Sequence, residues 1–462
     1  MSDILLTHGY FLATDEKEQE IMKPYPPLGL LYISSYLKRA GFTVEILDAT
    51  FTTPAEVVAR LAQNRGVLGL YTTLGTRSQV IGLISQAKSQ GWQVALGGPE
   101  SANYPEEYLA HGADVVITGE GEATLAALLP ALAARGPHRL HGCAGVTFRD
   151  ETGQIIANPP RPYLDDLNTL PWPDRTGIDL SPYLEVWRQR HGLSSIHLIT
   201  ARGCPYRCRW CSHAVFGFVQ RRRDFRDCAA EVQYLVETYR PDQLWYADDV
   251  FTMHHPWLFH YAGELKRRSL KVPFETISRA DRLLSEDVIR TLAEMGCFRI
   301  WMGAESGSQR ILDAMERGIT PEQVRWVTRT AQRHGLQVGL FLMWGYDGEE
   351  LPDIEATIEL TQAANPDIFF TTVVYPIKNT PFYAQNADRL LLPEDWASAS
   401  DRDIRIRGRH SRRYYKFADQ WLRGVVAAER LHAVDPAAAA LKAQAAYKAR
   451  AELLAAASEV ED

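Results

Sequence analysis

From Ile4 to about Ala133 short apolar runs alternate with stretches of helical periodicity. The runs predict strands at Ile4 to Leu6, Thr43 to Leu47, Val67 to Tyr71, Gln93 to Leu96 and Val115 to Thr118. Between the first two, residues 28 to 40 follow Pro26-Pro27 and stop at Gly41, a proline start and glycine stop that fit helix-end chemistry. Strands alternating with helices predict an α/β fold whose first part is a doubly wound, Rossmann-like parallel sheet. In such sheets ligands lie beyond the carboxyl ends of the strands. Here those ends carry Thr72-Thr73-Leu74-Gly75-Thr76, Gly97-Gly98-Pro99 and Gly119-Glu120-Gly121-Glu122, where glycines make turns or admit a ligand close to the backbone.

Residues 136–192 lose the alternation and hold Pro159-Pro160, Pro162 and Pro171-Trp172-Pro173, as a linker or small insertion would. A second βα series follows, with strands expected at Ile196 to Thr200, Gln243 to Tyr246, Phe274 to Ile277, Phe298 to Met302, Val338 to Met343 and Ile368 to Val374. Six such strands fit a partial (β/α)6 TIM-like barrel, with its chemistry at the C-terminal strand ends. Beyond about Gln385 the chain reads as a mainly helical segment, including a helix that starts at Asp435-Pro436 and runs to Ala457. The expected division is 1–135, 136–192, 193–384 and 385–462, the last as a substrate cap.

Composition narrows the functions. The 462 residues carry 57 acids against 50 bases, a net charge of -7, which argues against a global nucleic-acid or membrane-surface binder. Arg402, Arg405, Arg407, Arg409, Arg412, Arg413 and Lys416 form a basic stretch mixed with Tyr414, Tyr415 and Trp421. A solvated face with internal ion pairs is favoured there over a nucleic-acid or anion site. No apolar run reaches the ~18 residues needed to span a bilayer, and Met1-Ser2-Asp3 lacks the basic region of a secretory signal. A cytoplasmic location is expected.

Six cysteines are too few for a disulfide scaffold in so long a chain. Cys143, Cys228 and Cys297 are scattered and read as small buried side chains. Cys204, Cys208 and Cys211 instead fall in one loop, Thr200-Ala201-Arg202-Gly203-Cys204-Pro205-Tyr206-Arg207-Cys208-Arg209-Trp210-Cys211, directly after the first strand of the second series. Three thiolates spaced CxxxCxxC can each hold one iron of a four-iron cluster and leave the fourth open for a bound molecule. The alternative is a structural zinc site closed by His213, which could accompany nucleic-acid binding through the basic stretch.

The loop resembles the CxxxCxΦC signature of the radical S-adenosylmethionine superfamily, with Trp210 as the aromatic Φ. That resemblance spans about Leu193 to Pro381 and implies a [4Fe-4S] cluster on Cys204, Cys208 and Cys211, whose open iron binds S-adenosylmethionine. It implies that Asp248 or Asp249 accepts hydrogen bonds from the cofactor's ammonium, that Ser278 and Arg279 serve its ribose and carboxylate, and that Glu305 lies near the ribose or the site floor. Phe341 to Gly345 should line the adenine, although Tyr346-Asp347-Gly348-Glu349 departs from the commoner Leu-Pro-Gly-Glu.

The phosphate-binding GxGxxG is absent after the first strand, which disfavours a dinucleotide. Pro26-Pro27-Leu28-Gly29-Leu30, Gly97-Gly98-Pro99-Glu100 and Thr118-Gly119-Glu120-Gly121 resemble the cobalamin-binding domain that precedes the radical module in one subfamily. Thr72, Thr73, Gly97, Gly98, Pro99, Ser101, Thr118, Gly119, Glu120 and Gly121 should then surround the corrin and its tail. The Asp-x-His-x-x-Gly motif for a lower axial histidine is missing: Leu6 stands two residues before His8. The resemblance implies an enzyme that methylates an unactivated carbon of a small or lipid-like metabolite. The alternative is an oxidative cyclase similar to the anaerobic magnesium-protoporphyrin monomethyl ester cyclase, whose branch shares Asp-Asp-x-Phe and Tyr375-Pro376-Ile377-Lys378-Asn379-Thr380-Pro381. The expected partners are a small-molecule substrate, anionic or conjugated, and an electron donor such as flavodoxin or ferredoxin.

Overall fold

The computed structural model describes residues 2–134, 140–213 and 215–462. The boundary expected at Arg135 and Gly136 lies outside these residues. The chain divides into two compact units, one of Met1–Pro205, Ser212–Leu244 and Glu394–Ser400, the other of Tyr206–Cys211, Trp245–Pro393 and Asp401–Asp462. Residues 394–400, beyond Gln385, group with the first unit.

The first unit is built on β1 (Ile4–His8), β2 (Val44–Leu47), β3 (Val67–Tyr71), β4 (Gln93–Gly97) and β5 (Val115–Ile117), all parallel. Strand alternation explains its double winding. Leu5, Leu68, Leu70, Val94, Leu96 and Val116 join one buried cluster with Val57, Val80 and Ile84. Ile4, Leu6, Val67, Ala95, Val115 and Ile117 join the other with Leu30, Leu37, Leu125 and Leu128. Both faces are apolar, so both must be covered by helices. Helix starts are written locally: Thr53 accepts from the backbone N–H of Glu56 while the Glu56 side chain caps back, with Pro54 in the first turn.

The segment expected to be a linker or small insertion adds two strands to this sheet. β6 (Val146–Arg149) runs antiparallel to β5, and β7 (Ile155–Ala157) antiparallel to β6, giving the order β2-β1-β3-β4-β5-β6-β7. Val146 and Phe148 enter the second core cluster. The reversal is an Asp turn: Asp150 Oδ1 accepts from the N–H groups of Thr152 and Gln154, and Gly153 takes φ +86°. Strands this short, next to a proline-rich tail, lack the length that makes alternation readable.

In the second series, β8 (Ser195–Leu198) leads to β9 (Ala201–Arg202), which pairs antiparallel with β10 (Arg221–Arg222). Then come β11 (Gln243–Tyr246), β12 (Phe274–Ser278), β13 (Cys297–Glu305), β14 (Gln337–Trp344) and β15 (Ile368–Val373). The sheet order is β15-β14-β13-β12-β11-β8, the sequential order of a partial barrel, with β12 to β15 parallel. Two long helices, Arg412–Leu431 and Pro436–Ala455, close the second unit and pack on each other; Gly424 admits this, since a Cβ there would lie 2.8 Å from Cβ of Ala446. The basic stretch ends in ion pairs: Arg409 is buried against Glu461 and Arg413 meets Glu459.

Candidate functional site

The cysteine loop is held by its own backbone. Gly203 sits at φ +82°, and a Cβ there would lie 2.1 Å from the carbonyl oxygen of Val219, so only glycine lets the chain turn at this point. Farther along, the Arg209 N–H donates to Met315 O (3.1 Å), the Arg209 carbonyl accepts from Phe382 N–H (2.9 Å), and Cys211 N–H closes a turn on Cys208 O (3.0 Å). Cys204 is half-buried, Cys208 buried and Cys211 exposed. Trp210 packs against a cluster that includes Ile311, Met315, Met343 and Phe382.

Two guanidinium groups converge on Cys208. Arg279 Nη1 donates to its Sγ at 3.7 Å and Arg317 Nη1 at 3.8 Å. Each arginine is fixed elsewhere. Arg279 donates to Asp281 (2.8 Å) and to the carbonyl of Arg317 (2.6 Å), and lies 3.4 Å over the Tyr206 ring. Tyr206 in turn donates to Asp281 and accepts from Arg282. Arg317 donates to the carbonyl of Gly303 (2.9 Å), and its Nε stands 3.5 Å from Glu305. Burial pushes the Cys208 thiol up, Arg279 pulls it back toward the thiolate, and Glu305 opposes that. Glu305 itself is pushed up to about 8 by burial, against the pull of Arg279. Its backbone is left-handed, φ +61°, at the point where the β13–β14 register shifts.

Of the other expected residues, Asp248, Asp249, Ser278 and Arg279 fall at strand ends. Arg279 points to Cys208. Ser278 and Thr252 share a buried hydroxyl pair. Asp248 is buried after β11, while Asp249 is exposed. Phe341 lies in mid-strand, stacked with Trp301 and Phe370. Past the end of β14, Glu349 accepts from Gly345 N–H (2.6 Å), its other oxygen has no partner, and burial pushes the carboxyl up to about 8. Tyr206 and Arg317 were not singled out from the sequence. Arg317 follows a short helix rather than a strand, and its only local signal is the adjoining Gly318 at φ +65°.

In the first unit the strand order 2-1-3-4-5 puts the switch point between β1 and β3, where a ligand crevice is expected. The Thr72 hydroxyl donates to Gly97 O (3.2 Å) and accepts from Ser101 N–H (2.9 Å); Thr73 N–H donates to Thr76. Gly98, at φ +112°, is required by the chain itself: a Cβ would lie 2.2 Å from the carbonyl oxygen of Thr72. Gly97 faces open space, Pro99 opens the helix Pro99–Asn103, and Thr118 is exposed beside Gly119 at φ +84°. Thr72 and Gly98 thus brace the loop, and Gly97 and Gly119, which carry no side chain, with the exposed Thr118 leave this edge approachable. Glu120 is held within the first unit. Its carboxylate accepts from Arg202 (2.9 Å), Arg221 (2.7 Å) and the N–H of Leu164 (2.8 Å), so its side chain anchors the helix start at Gly121. Glu122 takes the other arm of Arg202 at 2.6 Å. Both ring nitrogens of His8 are engaged, by Asp48 and Ala49 N–H on one side and Tyr10 N–H on the other.

Among the described residues no three His, Cys, Asp or Glu side chains are gathered as metal ligands. The fit to a cluster rests on the donor set: three thiols on one loop, one of them buried under two guanidinium groups that favour its thiolate. Among the described residues no helix is long and apolar enough to cross a membrane.

Comparison with known proteins agrees with these features. Residues 198–361 match the Radical SAM superfamily model and residues 20–129 the B12 binding domain model. An uncharacterized methyltransferase of Pyrococcus horikoshii is 28% identical over 397 residues, covering 83% of this chain and 84% of its own. The anaerobic magnesium-protoporphyrin IX monomethyl ester cyclase of Synechocystis sp. is 26% identical, covering 80% and 74%. The radical S-adenosylmethionine methyltransferase TsrM of Kitasatospora setae, solved with cobalamin and a [4Fe-4S] cluster, aligns with TM-score 0.68 at 18% identity over 84% of this chain and 75% of its own. The cobalamin-dependent S-adenosylmethionine radical enzyme OxsB, solved with aqua-cobalamin, aligns with TM-score 0.74 at 16% identity over 98% and 72%. At such identities these two likenesses establish the fold.

Proposed function

We propose that this chain, which contains a radical SAM domain and a B12 binding domain, is a cobalamin-dependent radical S-adenosylmethionine enzyme that methylates an unactivated carbon of a small or lipid-like molecule. Bound together, its cofactors supply a radical able to take hydrogen from such a carbon and a methyl group to replace it. Cys204, Cys208 and Cys211 would hold the cluster. Arg279 and Arg317 stand where they would hydrogen-bond the Cys208 sulfur once it binds iron, and Tyr206 with Asp281 keeps Arg279 aimed. Asp248 or Asp249, Ser278 and Glu305 stand at the strand ends that face S-adenosylmethionine in this reading. Gly97, Thr118 and Gly119 would offer backbone to the corrin, on a loop braced by Thr72, Gly98 and Ser101.

The observation that carries the reading is the joining, in one chain, of a cysteine loop charged by two arginines to a switch-point sheet of the B12-binding type. A flavodoxin- or ferredoxin-like protein would deliver the electrons. The test is incubation of the reconstituted enzyme with methyl-labelled S-adenosylmethionine, a reductant, cobalamin and candidate lipids or porphyrins. Label in the product supports methyl transfer. Production of 5'-deoxyadenosine with an oxidised, unlabelled product supports the second reading, a cyclase-like oxidation, which the 26% identity to a porphyrin cyclase favours. Colourless protein with stoichiometric zinc would refute both.

A further inference from the structure

One face of the second sheet carries three aromatic rings in register. Trp301 on β13 pairs with Gly339 on β14, and Phe341 on β14 with Phe370 on β15. Side chains alternate across a sheet, so Trp301, Gly339, Phe341 and Phe370 share one face. The rings stack: Trp301 to Phe341 at 5.3 Å and 18°, Trp301 to Phe370 at 5.4 Å and 12°, Phe341 to Phe370 at 6.4 Å and 20°. Trp301 reaches Phe370 two strands away only because Gly339 lies between them. A Cβ on Gly339 would sit 2.2 Å from Cε3 of the indole. The indole is also oriented from its polar end, where Nε1 donates to the buried carboxylate of Glu275 at 2.9 Å.

The stack ends in the open. Trp301 is 8% exposed and Phe341 half-buried, but Phe370 is 52% exposed. It stands on β15, at the end of the sheet order, and among the described residues no ring besides Trp301 and Phe341 pairs with it. The opposite face of β15 is the one the long helix covers: Arg423 lies over Phe369, and Thr371 meets Asp419. The stacked face is continuous with the site. Met343, two residues beyond Phe341 on the same face of β14, belongs to the cluster against which Trp210 of the cysteine loop packs.

We infer that Trp301, Phe341 and Phe370 form a substrate platform that takes a planar, conjugated ring system as the next member of the stack, against Phe370. This deepens the proposed function and rests on it. Three rings held within 20° of parallel, and a glycine that permits it, are more order than burial alone requires. A saturated chain or polycycle gains the same area from a disordered apolar wall, whereas a flat π system gains stacking only from an aligned one.

The test titrates protoporphyrin IX, followed by its fluorescence, into the full-length protein, with cholate as a saturated polycycle of similar bulk. Phe370→Leu should weaken protoporphyrin binding about five- to tenfold, the loss expected of one aromatic contact. Phe370→Trp should keep it within about twofold. Phe259→Ala, which removes a comparably exposed ring from the helix His255–Arg267, should leave it unchanged. The inference is overturned if the wild-type protein does not bind protoporphyrin, if Phe370→Leu binds it as well as wild type, if Phe259→Ala loses as much, or if cholate binds as tightly. It is overturned equally if sedimentation shows a dimer that Phe370→Leu dissociates, since a second copy then covers the ring. Formation of 5'-deoxyadenosine by the reconstituted wild-type enzyme is measured separately; its absence sinks the proposed function and leaves the platform result standing as binding.

Discussion

Each unit buries a cluster of arginines against acids, and the two clusters are built to opposite ends. In the first, Arg202 and Arg221 meet Glu120 and Glu122 at 2.6 to 2.9 Å. Arg223 repeats the pattern on Glu231 and Asp227. In the second, Arg279 and Arg317 face a thiol at 3.7 and 3.8 Å, and the nearest buried carboxyl, Glu305, is driven toward its neutral form. Closed pairing fixes backbone that must not move. Around the thiol Arg279 keeps Asp281 at 2.8 Å, but Arg317 has only the longer contact to Glu305 at 3.5 Å, which leaves positive charge for another group to use, the pattern of a site.

The comparison breaks most sharply at the thiol. Cys208→Ala should abolish both cluster incorporation, read as bound iron and acid-labile sulfide, and 5'-deoxyadenosine formation; retained cleavage would refute the ligand assignment. Next in size, Glu120→Ala leaves two buried guanidinium groups short of a partner and should cost about 3–5 kcal/mol in urea unfolding. The matching change in the second cluster, Arg317→Met, should cost less than that while lowering the reduction potential of the reconstituted cluster, since a positive donor to a cluster thiolate stabilises the reduced state. Equal destabilisation by the two substitutions, with an unchanged potential, would erase the distinction.

A smaller effect is tied to pH. Glu349 has a folded pKa of about 8 against the ordinary 4.5. Below 4.5 the carboxyl is protonated in both states and costs nothing. As pH rises from 4.5 toward 8 the unfolded chain ionises first, so stability falls across that window. Glu349→Gln should remove this slope, read as a flatter midpoint of urea unfolding between pH 5 and about 8 than wild type. Smallest of all, Arg413→Ala breaks pairs in which the arginine is 57% exposed and should change stability by less than about 1 kcal/mol.

What the sequence could disclose follows the reach of its signals. Strand alternation and helix ends are local, so Val67–Tyr71 and Gln243–Tyr246 match expectation residue for residue, and Leu28–Arg39 to within one. The cysteine spacing is local too. Nothing near Glu120 announces its partners Arg202 and Arg221, which arrive from 82 and 101 residues away. Arg317 was missed for the same reason, being 109 residues from Cys208. The aromatic stack stayed hidden because it depends on the register of three strands, which no single strand's pattern contains.

The hairpin of β6 and β7 bears on how the first unit can be handled apart from the rest. A polypeptide ending near residue 135 would expose the rim of β5, whose Val115–Ile117 backbone pairs with Val146–Phe148 in the intact protein. Such a rim is a template for other chains and invites aggregation. The shortest soluble fragment of this unit is therefore expected to extend at least through Ala157, some twenty residues past the point where the alternating pattern stops.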